Sequence, residues 1–192
     1  MRRSEKGQSL IELLVVVSLL GFFGVMGNSA LNHARRNVAL LAGTSELRSL
    51  FQRVRMLAVS HNRNLAIRFR PVGDTWSWSV YEDGDGDGVR NDDITKGIDA
   101  QVDRTRLFRF QPVRVGVPAA PVIDPMNGQL LSLRLPVRFG TSQLCSFSRD
   151  GEATNGSIVL TDGERATIIR VGGTSALINV IHWDGKKWIT TS

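Results

Sequence analysis

The chain has 192 residues, a formal net charge of +6 and 42% hydrophobic residues. That apolar content supports a packed core and excludes a disordered chain. Cys145 stands alone, which excludes an intramolecular disulfide, and the modest positive balance admits acidic partners without demanding them.

At the amino terminus Arg2, Arg3 and Lys6 precede an apolar run from Leu10 to Ala30. A helix of about 20 residues matches a hydrocarbon core of about 30 Å, so the run can span a membrane once. The leading basic residues favour a cytoplasmic amino terminus, and Arg35 and Arg36 on the far side weaken that asymmetry. Gly21, Gly24 and Gly27 form either a surface for close helix approach or the ordinary glycine content of a membrane helix. Glu12 is out of place. A carboxylate at the bilayer centre costs about 2.5–3.5 kcal/mol and less near the edge, so Glu12 either meets a partner or snorkels from the helix end.

The residues Gly7-Gln8-Ser9-Leu10-Ile11-Glu12 resemble the class III leader of type IV pilins and type II secretion pseudopilins. The resemblance implies cleavage between Gly7 and Gln8 by a prepilin peptidase/methyltransferase and N-methylation of Gln8. It also implies assembly through Glu12, which faces the charged amino terminus of a neighbouring subunit. A Sec signal peptide fits less well, because Asn28-Ser29-Ala30 is a poor small-residue site and such a core rarely carries a glutamate in its first turn. The chain then divides into a leader over 1–7, a transmembrane helix over 8–30, a periplasmic amphipathic helix over 31–61 and a β-rich head over 62–192.

No proline or linker interrupts the passage from span to amphipathic segment. Val38, Leu41, Leu47, Leu50, Phe51, Val54, Leu57 and Ala58 fall largely at helical spacing and predict an apolar stripe laid on a soluble domain. Arg48, Arg53 and Arg55, interleaved with it, read as a solvated basic face in preference to a nucleic-acid surface. Gly43-Thr44-Ser45 marks a place where the helix could bend.

After His61-Asn62 the period becomes two. Leu65, Ile67 and Phe69, and then Trp76, Trp78 and Val80, alternate with small or polar residues across the turn at Pro71-Val72-Gly73-Asp74, which predicts antiparallel strands. Leu131, Leu133, Leu135, Val137 and Phe139 repeat the pattern. Ile158–Leu160, Ala166–Val171, Leu177–Ile181 and Trp188-Ile189 predict a β-meander whose short hairpin turns lie at Asp162-Gly163, Gly172-Gly173 and Asp184-Gly185.

Between the predicted Trp78 strand and a further strand expected around Leu107 to Phe110 lies Asp83-Gly84-Asp85-Gly86-Asp87-Gly88-Val89-Arg90-Asn91. Asp83, Asp85 and Asp87 at alternate positions can converge oxygens on a hard cation, Gly88 allows a sharp turn, Val89 can offer its carbonyl and Asn91 a further oxygen. This is similar to the first part of a calcium loop. Its twelfth position is Ile94, which supplies no carboxylate, so Asp92, Asp93 or Asp99 would have to substitute; the other reading is an acidic solvated turn.

His33, His61 and His182 form no metal spacing with Cys145, and no glycine-flanked nucleophile or phosphate loop is present. The expectation is a non-enzymatic chain that requires no cofactor, with calcium as the one candidate ion. Arg165, Arg170, Lys186 and Lys187, beside Trp183 and Trp188, offer charge for phosphates and rings for stacking; core tryptophans with exposed turn lysines explain the same residues.

Leu47 to Phe69, a wide insertion and then the run from Phe147-Ser148-Arg149-Asp150-Gly151 to Leu160 resemble the minor pseudopilin H of type II secretion and the related FimT-like minor pilins. The resemblance implies a pilin-like α+β fold, a long amino-terminal helix packed on an antiparallel β-sheet domain. It implies a structural subunit of the pseudopilus, at its tip or initiation complex, serving protein secretion across the outer membrane. Its partners would be other major and minor pseudopilins and the inner-membrane assembly platform, with the amino terminus cytoplasmic and the head periplasmic. The FimT-like alternative would place it in pilus assembly or DNA uptake.

Overall fold

The computed structural model describes residues 10–126, 128–131 and 135–191, with side-chain surroundings for all of these except 23–30 and 191. Gly7 and Gln8 therefore lie outside the described residues, as does Leu133. The chain forms two units, Met1–Val38 and Ala39–Ser192.

In the first unit the described residues belong to helix α1, Leu10–His61, which also enters the second. The first proline of the chain is Pro71, so nothing in α1 removes a helical N–H. The described apolar side chains from Leu10 to Phe22 are exposed, and Ser18 turns its hydroxyl back to the Leu14 carbonyl at 2.8 Å. Among the described residues no helix is long and apolar enough to cross a membrane.

In the second unit α1 buries Leu40, Thr44, Leu47, Leu50, Phe51, Val54 and Ala58. These recur at steps of three and four, the spacing of one helical face. Val38 and Leu41, expected in the stripe, are exposed, and Leu57 is only half-buried. Leu41 is rotated about 100° from Leu40, so only one of them can face the core. The helix passes through Gly43-Thr44-Ser45 without a break. A Cβ on Gly43 would lie 3.1 Å from the Phe108 ring and 3.4 Å from that of Phe110, so the missing side chain makes room for an aromatic pair. The end of α1 comes at Asn62, whose φ of 53° is left-handed; its N–H and that of Arg63 cap the Val59 and Ala58 carbonyls.

Two antiparallel sheets complete the unit. Strands β1 (Leu65–Val72), β2 (Thr75–Glu82), β3 (Ala100–Leu107) and β6 (Leu144–Phe147) form one, in the order β3-β2-β1-β6. Strands β4 (Arg114–Val115), β7 (Gly156–Thr161), β8 (Ala166–Val171), β9 (Ile178–Trp183) and β10 (Trp188–Thr191) form the other, in the order β10-β9-β8-β7-β4, with β5 (Val137–Arg138) also on β7. Phe51 of α1 meets Phe69 of β1, Phe139 and Phe147 of β6 at ring-centroid distances of 6.1, 6.0 and 6.4 Å, inside a core that also takes Ile158, Leu160 and Ile169. Truncation of such a buried ring removes about 3–5 kcal/mol.

The carboxyl-terminal meander agrees with the sequence reading, though its turns are longer than a two-residue hairpin. Thr161 pairs with Ala166 and Trp183 with Trp188, so each Asp-Gly lies within a four-residue loop. Within the run 131–139, the described residues hold a strand at Val137–Arg138, with Leu131 buried in a smaller cluster and Leu135 exposed. Four elements escaped prediction over most of their residues: β3, β4, β6 and α2. Strand β3 is an edge strand with a mostly exposed face, so it carries little apolar alternation. Helix α2, Asn91–Lys96, is too short for helical periodicity to register.

Candidate functional site

The acidic loop leaves β2 at Glu82 and ends where α2 begins. Its first carboxylate is an anchor. Asp83 is 3% exposed; its Oδ1 accepts the N–H groups of Gly86 at 2.7 Å and Asp85 at 3.3 Å, and its Oδ2 accepts Gly88 N–H at 2.9 Å and Asn64 Nδ2 at 2.7 Å. Burial pushes the Asp83 carboxyl up, but the Asn64 amide and the three backbone donors outweigh it and hold the group below the ordinary aspartate range. Asp99 clasps the loop from the other side, accepting Gly84 N–H at 3.1 Å and Arg90 N–H at 2.9 Å. This crowding sets the sequence of the loop: a Cβ on Gly84 would strike the Ile98 carbonyl oxygen, and Gly88 has a φ of 94°.

Asp83, Asp85 and Asp87 are brought together, each with a carboxylate oxygen within 4.8 Å of the others. The donor chemistry fits a hard cation. Two features compete with one. Asp87 is ion-paired with Arg90, and the four hydrogen bonds on Asp83 occupy about all the lone-pair sites a carboxylate has. Arg63 and Arg149 also line the cavity of about 270 Å³ beside Asp83 and Asp85. Asn91 opens α2 and donates its Nδ2 to the Ser142 carbonyl at 3.0 Å, and the Val89 side chain is buried with Ala66 and Leu144. Of the proposed substitutes, Asp93 pairs with Lys96 at 3.4 Å and Asp99 serves the backbone. Asn64 and Asp99, the residues that shape the loop, lack any local sequence signal, because each reaches it across the fold.

Of the four cations considered for nucleic acid, two are ion-paired within the chain. Arg170 sits on Asp124, with Nη2 at 2.9 and 2.7 Å from its two carboxylate oxygens, and Arg165 binds Asp162 through Nε at 3.0 Å and Nη2 at 2.9 Å. Lys186 and Lys187 are exposed in the β9–β10 turn, where their backbone N–H groups cap Asp184. Hydrogen bonds from those two amides hold the Asp184 carboxyl below its ordinary range. Trp183 and Trp188 pack on each other at 5.4 Å and on the smaller cluster, and Trp188 Nε1 donates to the Ile123 carbonyl at 2.8 Å. Their rings are spent on packing, and two of the four charges are neutralised inside the chain. On β8 and β9, Thr167 and His182 Nδ1 are 2.9 Å apart, and burial pushes the imidazole below its ordinary value.

Glu12 is exposed in the first described turn of α1, on the same unit as the apolar side chains from Leu10 to Phe22.

The family described as type II transport protein GspH matches residues 43–175, which run from the buried half of α1 through β8. The prokaryotic N-terminal methylation motif matches residues 2–27, which include Gly7, Gln8 and Glu12. No curated protein and no solved structure matches the chain.

Proposed function

We infer the role of this chain from its family: it belongs to the type II transport protein GspH family and is a minor pseudopilin, a structural subunit of type II secretion. It is an inner-membrane-anchored, prepilin-like subunit that works with other pseudopilins. The observation that carries the reading is the presence on one chain of both matches, the methylation motif over 2–27 and the GspH match over 43–175.

The leader is cut between Gly7 and Gln8, Gln8 becomes the methylated amino terminus, and the helix from Gln8 anchors the subunit with the head in the periplasm. Arg2, Arg3 and Lys6 support that orientation. Glu12 pairs with the ammonium group of a neighbouring subunit, a contact that offsets the desolvation neither charge escapes alone. The subunit acts near the tip or initiation complex of the pseudopilus on the inner-membrane assembly platform, without catalysis of its own. The aspartates of the acidic loop hold a calcium ion that adds rigidity between β2 and β3; the 4.8 Å convergence of three carboxylates supports this part.

Deletion of the gene in its host tests the reading. Substrates of type II secretion should accumulate in the periplasm, and the wild-type chain should restore export. Unchanged export with loss of pili or DNA uptake would instead favour the FimT-like role.

A further inference from the structure

The face of the β1 sheet turned away from α1 carries an arginine with no internal counter-ion. Arg68 of β1 is 9% exposed, yet among the described residues it makes no ion pair and no side-chain hydrogen bond; its guanidinium carbon lies 5.9 Å from the centroid of the Tyr81 ring. Burying a cation without an anion is costly, and an aromatic face offsets only part of that. No buried side-chain nitrogen or oxygen lacks a partner among the described residues, so the donors of Arg68 open onto the neighbouring cleft. That cleft has a volume of about 550 Å³ and is lined by Arg68, Arg70, Asn91, Asp92, Ser142 and Gln143 among others.

Its walls suit a single small anion. Ser142 accepts the Leu144 N–H through Oγ at 3.4 Å and keeps its own hydroxyl hydrogen for donation. Gln143 holds a left-handed φ of 56°, a conformation that costs free energy and recurs at ligand clamps. Arg70 at the rim adds a second positive charge, whereas Asp92 sets a negative one on the same cleft without reaching ion-pair distance of Arg68. Two arginines beside an aspartate do not make the extended basic track that a nucleic-acid backbone follows. A guanidinium fork at the bottom of a cleft instead matches one planar carboxylate on a short side chain.

We propose that this cleft, with Arg68 at its floor and Arg70 and Ser142 at its rim, is a docking site for an aspartate or glutamate side chain on an acidic segment of a partner protein. The proposal stands on this geometry and does not depend on the loop cation or on Glu12.

The test uses the full chain in non-ionic detergent micelles, following the arginine Nε–H resonances by NMR. The probes are the peptide acetyl-Gly-Glu-Gly-Glu-Gly-amide, its glutamine counterpart and inorganic phosphate. The glutamate peptide should shift the Arg68 resonance saturably, the glutamine peptide should not, and phosphate should act more weakly. Arg68→Gln should weaken binding at least tenfold, Arg70→Gln severalfold, and Asp92→Asn should tighten it severalfold. Should Arg68→Gln fail to fold, the wild-type titration and the Arg70→Gln and Asp92→Asn variants still decide. An equal response to both peptides, no response at millimolar peptide, or a stronger response to phosphate overturns the proposal. So does an Asp92→Asn variant that binds no tighter and melts well below wild type, since Asp92 would then be the internal partner of Arg68.

Discussion

Arg170 on β8 holds both carboxylate oxygens of Asp124 with one guanidinium nitrogen, at 2.9 and 2.7 Å, in a pair whose side chains are 15% and 3% exposed. The contact joins residues 46 positions apart and fixes the segment after β4 to the second sheet. Removal of either partner leaves a buried charge uncompensated. Asp124→Ala or Arg170→Ala should therefore lower stability by about 3 kcal/mol, the lower end of the range because Arg170 is partly wet. Chemical denaturation of the full chain measures this, and the pair replaced together by Asp124→Leu and Arg170→Met should recover part of the loss. A midpoint unchanged by Asp124→Ala would show that the pair is not a clamp.

The Asp83 anchor makes stability depend on acid. Its folded pKa lies below the ordinary value of about 3.9, so its stabilisation is fully present above that value and is lost as pH falls through the folded pKa. His182, pushed down by burial, contributes in the same direction from about pH 6.5 downward, because the fold favours the neutral ring. Asp83→Asn shares the His182 contribution. Urea midpoints for wild type and Asp83→Asn should differ most near neutrality and converge below about pH 4. A constant gap down to pH 3 would refute the anchor's titration.

If the loop holds calcium, the missing carboxylate at Ile94 and the Arg90 pairing with Asp87 place its affinity at the weak end, about 10⁻⁴ to 10⁻³ M. Calorimetry on the full chain in detergent should show binding heat that Asp85→Ala abolishes. Neither heat nor a raised melting temperature at millimolar calcium would leave the loop as a turn held by Asp83 and Asp99 alone.

Gly43 admits the Phe108 and Phe110 rings to the surface of α1. Gly43→Leu should destabilise by about 1–3 kcal/mol through overpacking. Gly43→Ala should cost much less, because a gain of up to about 1 kcal/mol in helix propensity opposes the tight contact. Thermal melts compare the two; Leu tolerated as well as Ala would mean the rings move aside freely.

Processing and assembly separate cleanly by mutation. Gly7→Val should retain the leader, seen as an unshortened mass in cells with active prepilin peptidase. Glu12→Ala should insert into the membrane normally while crosslinking to other pseudopilins is lost, since it removes a charge that is a burden to insertion and an asset to pairing. Normal crosslinking of Glu12→Ala would count against the ammonium partner.

Much of this protein is local information. The steps of three and four from Leu47 to Ala58, the alternation in β1 and β2, and the aspartate-glycine turns each express a period or a backbone preference, so the sequence alone determined helix α1, strands β1 and β2, the carboxyl-terminal meander and the α+β class. The motif from Gly7 to Glu12 was equally legible, because it is a run of adjacent residues, and the N-terminal methylation motif match over 2–27 includes it.

What the chain's order conceals is pairing across distance. Only the folded unit shows that Arg170 is spent on Asp124, that Asn64 and Asp99 clip the acidic loop from remote positions, and that the first residues of the expected stripe face outward. It also decided that Arg68, which alternation alone would place on a wet face, is covered and left without an anion. Charges and hydrogen-bond donors have no period. Their partners are set by which surfaces the hydrophobic core brings together, and that is a property of the tertiary structure.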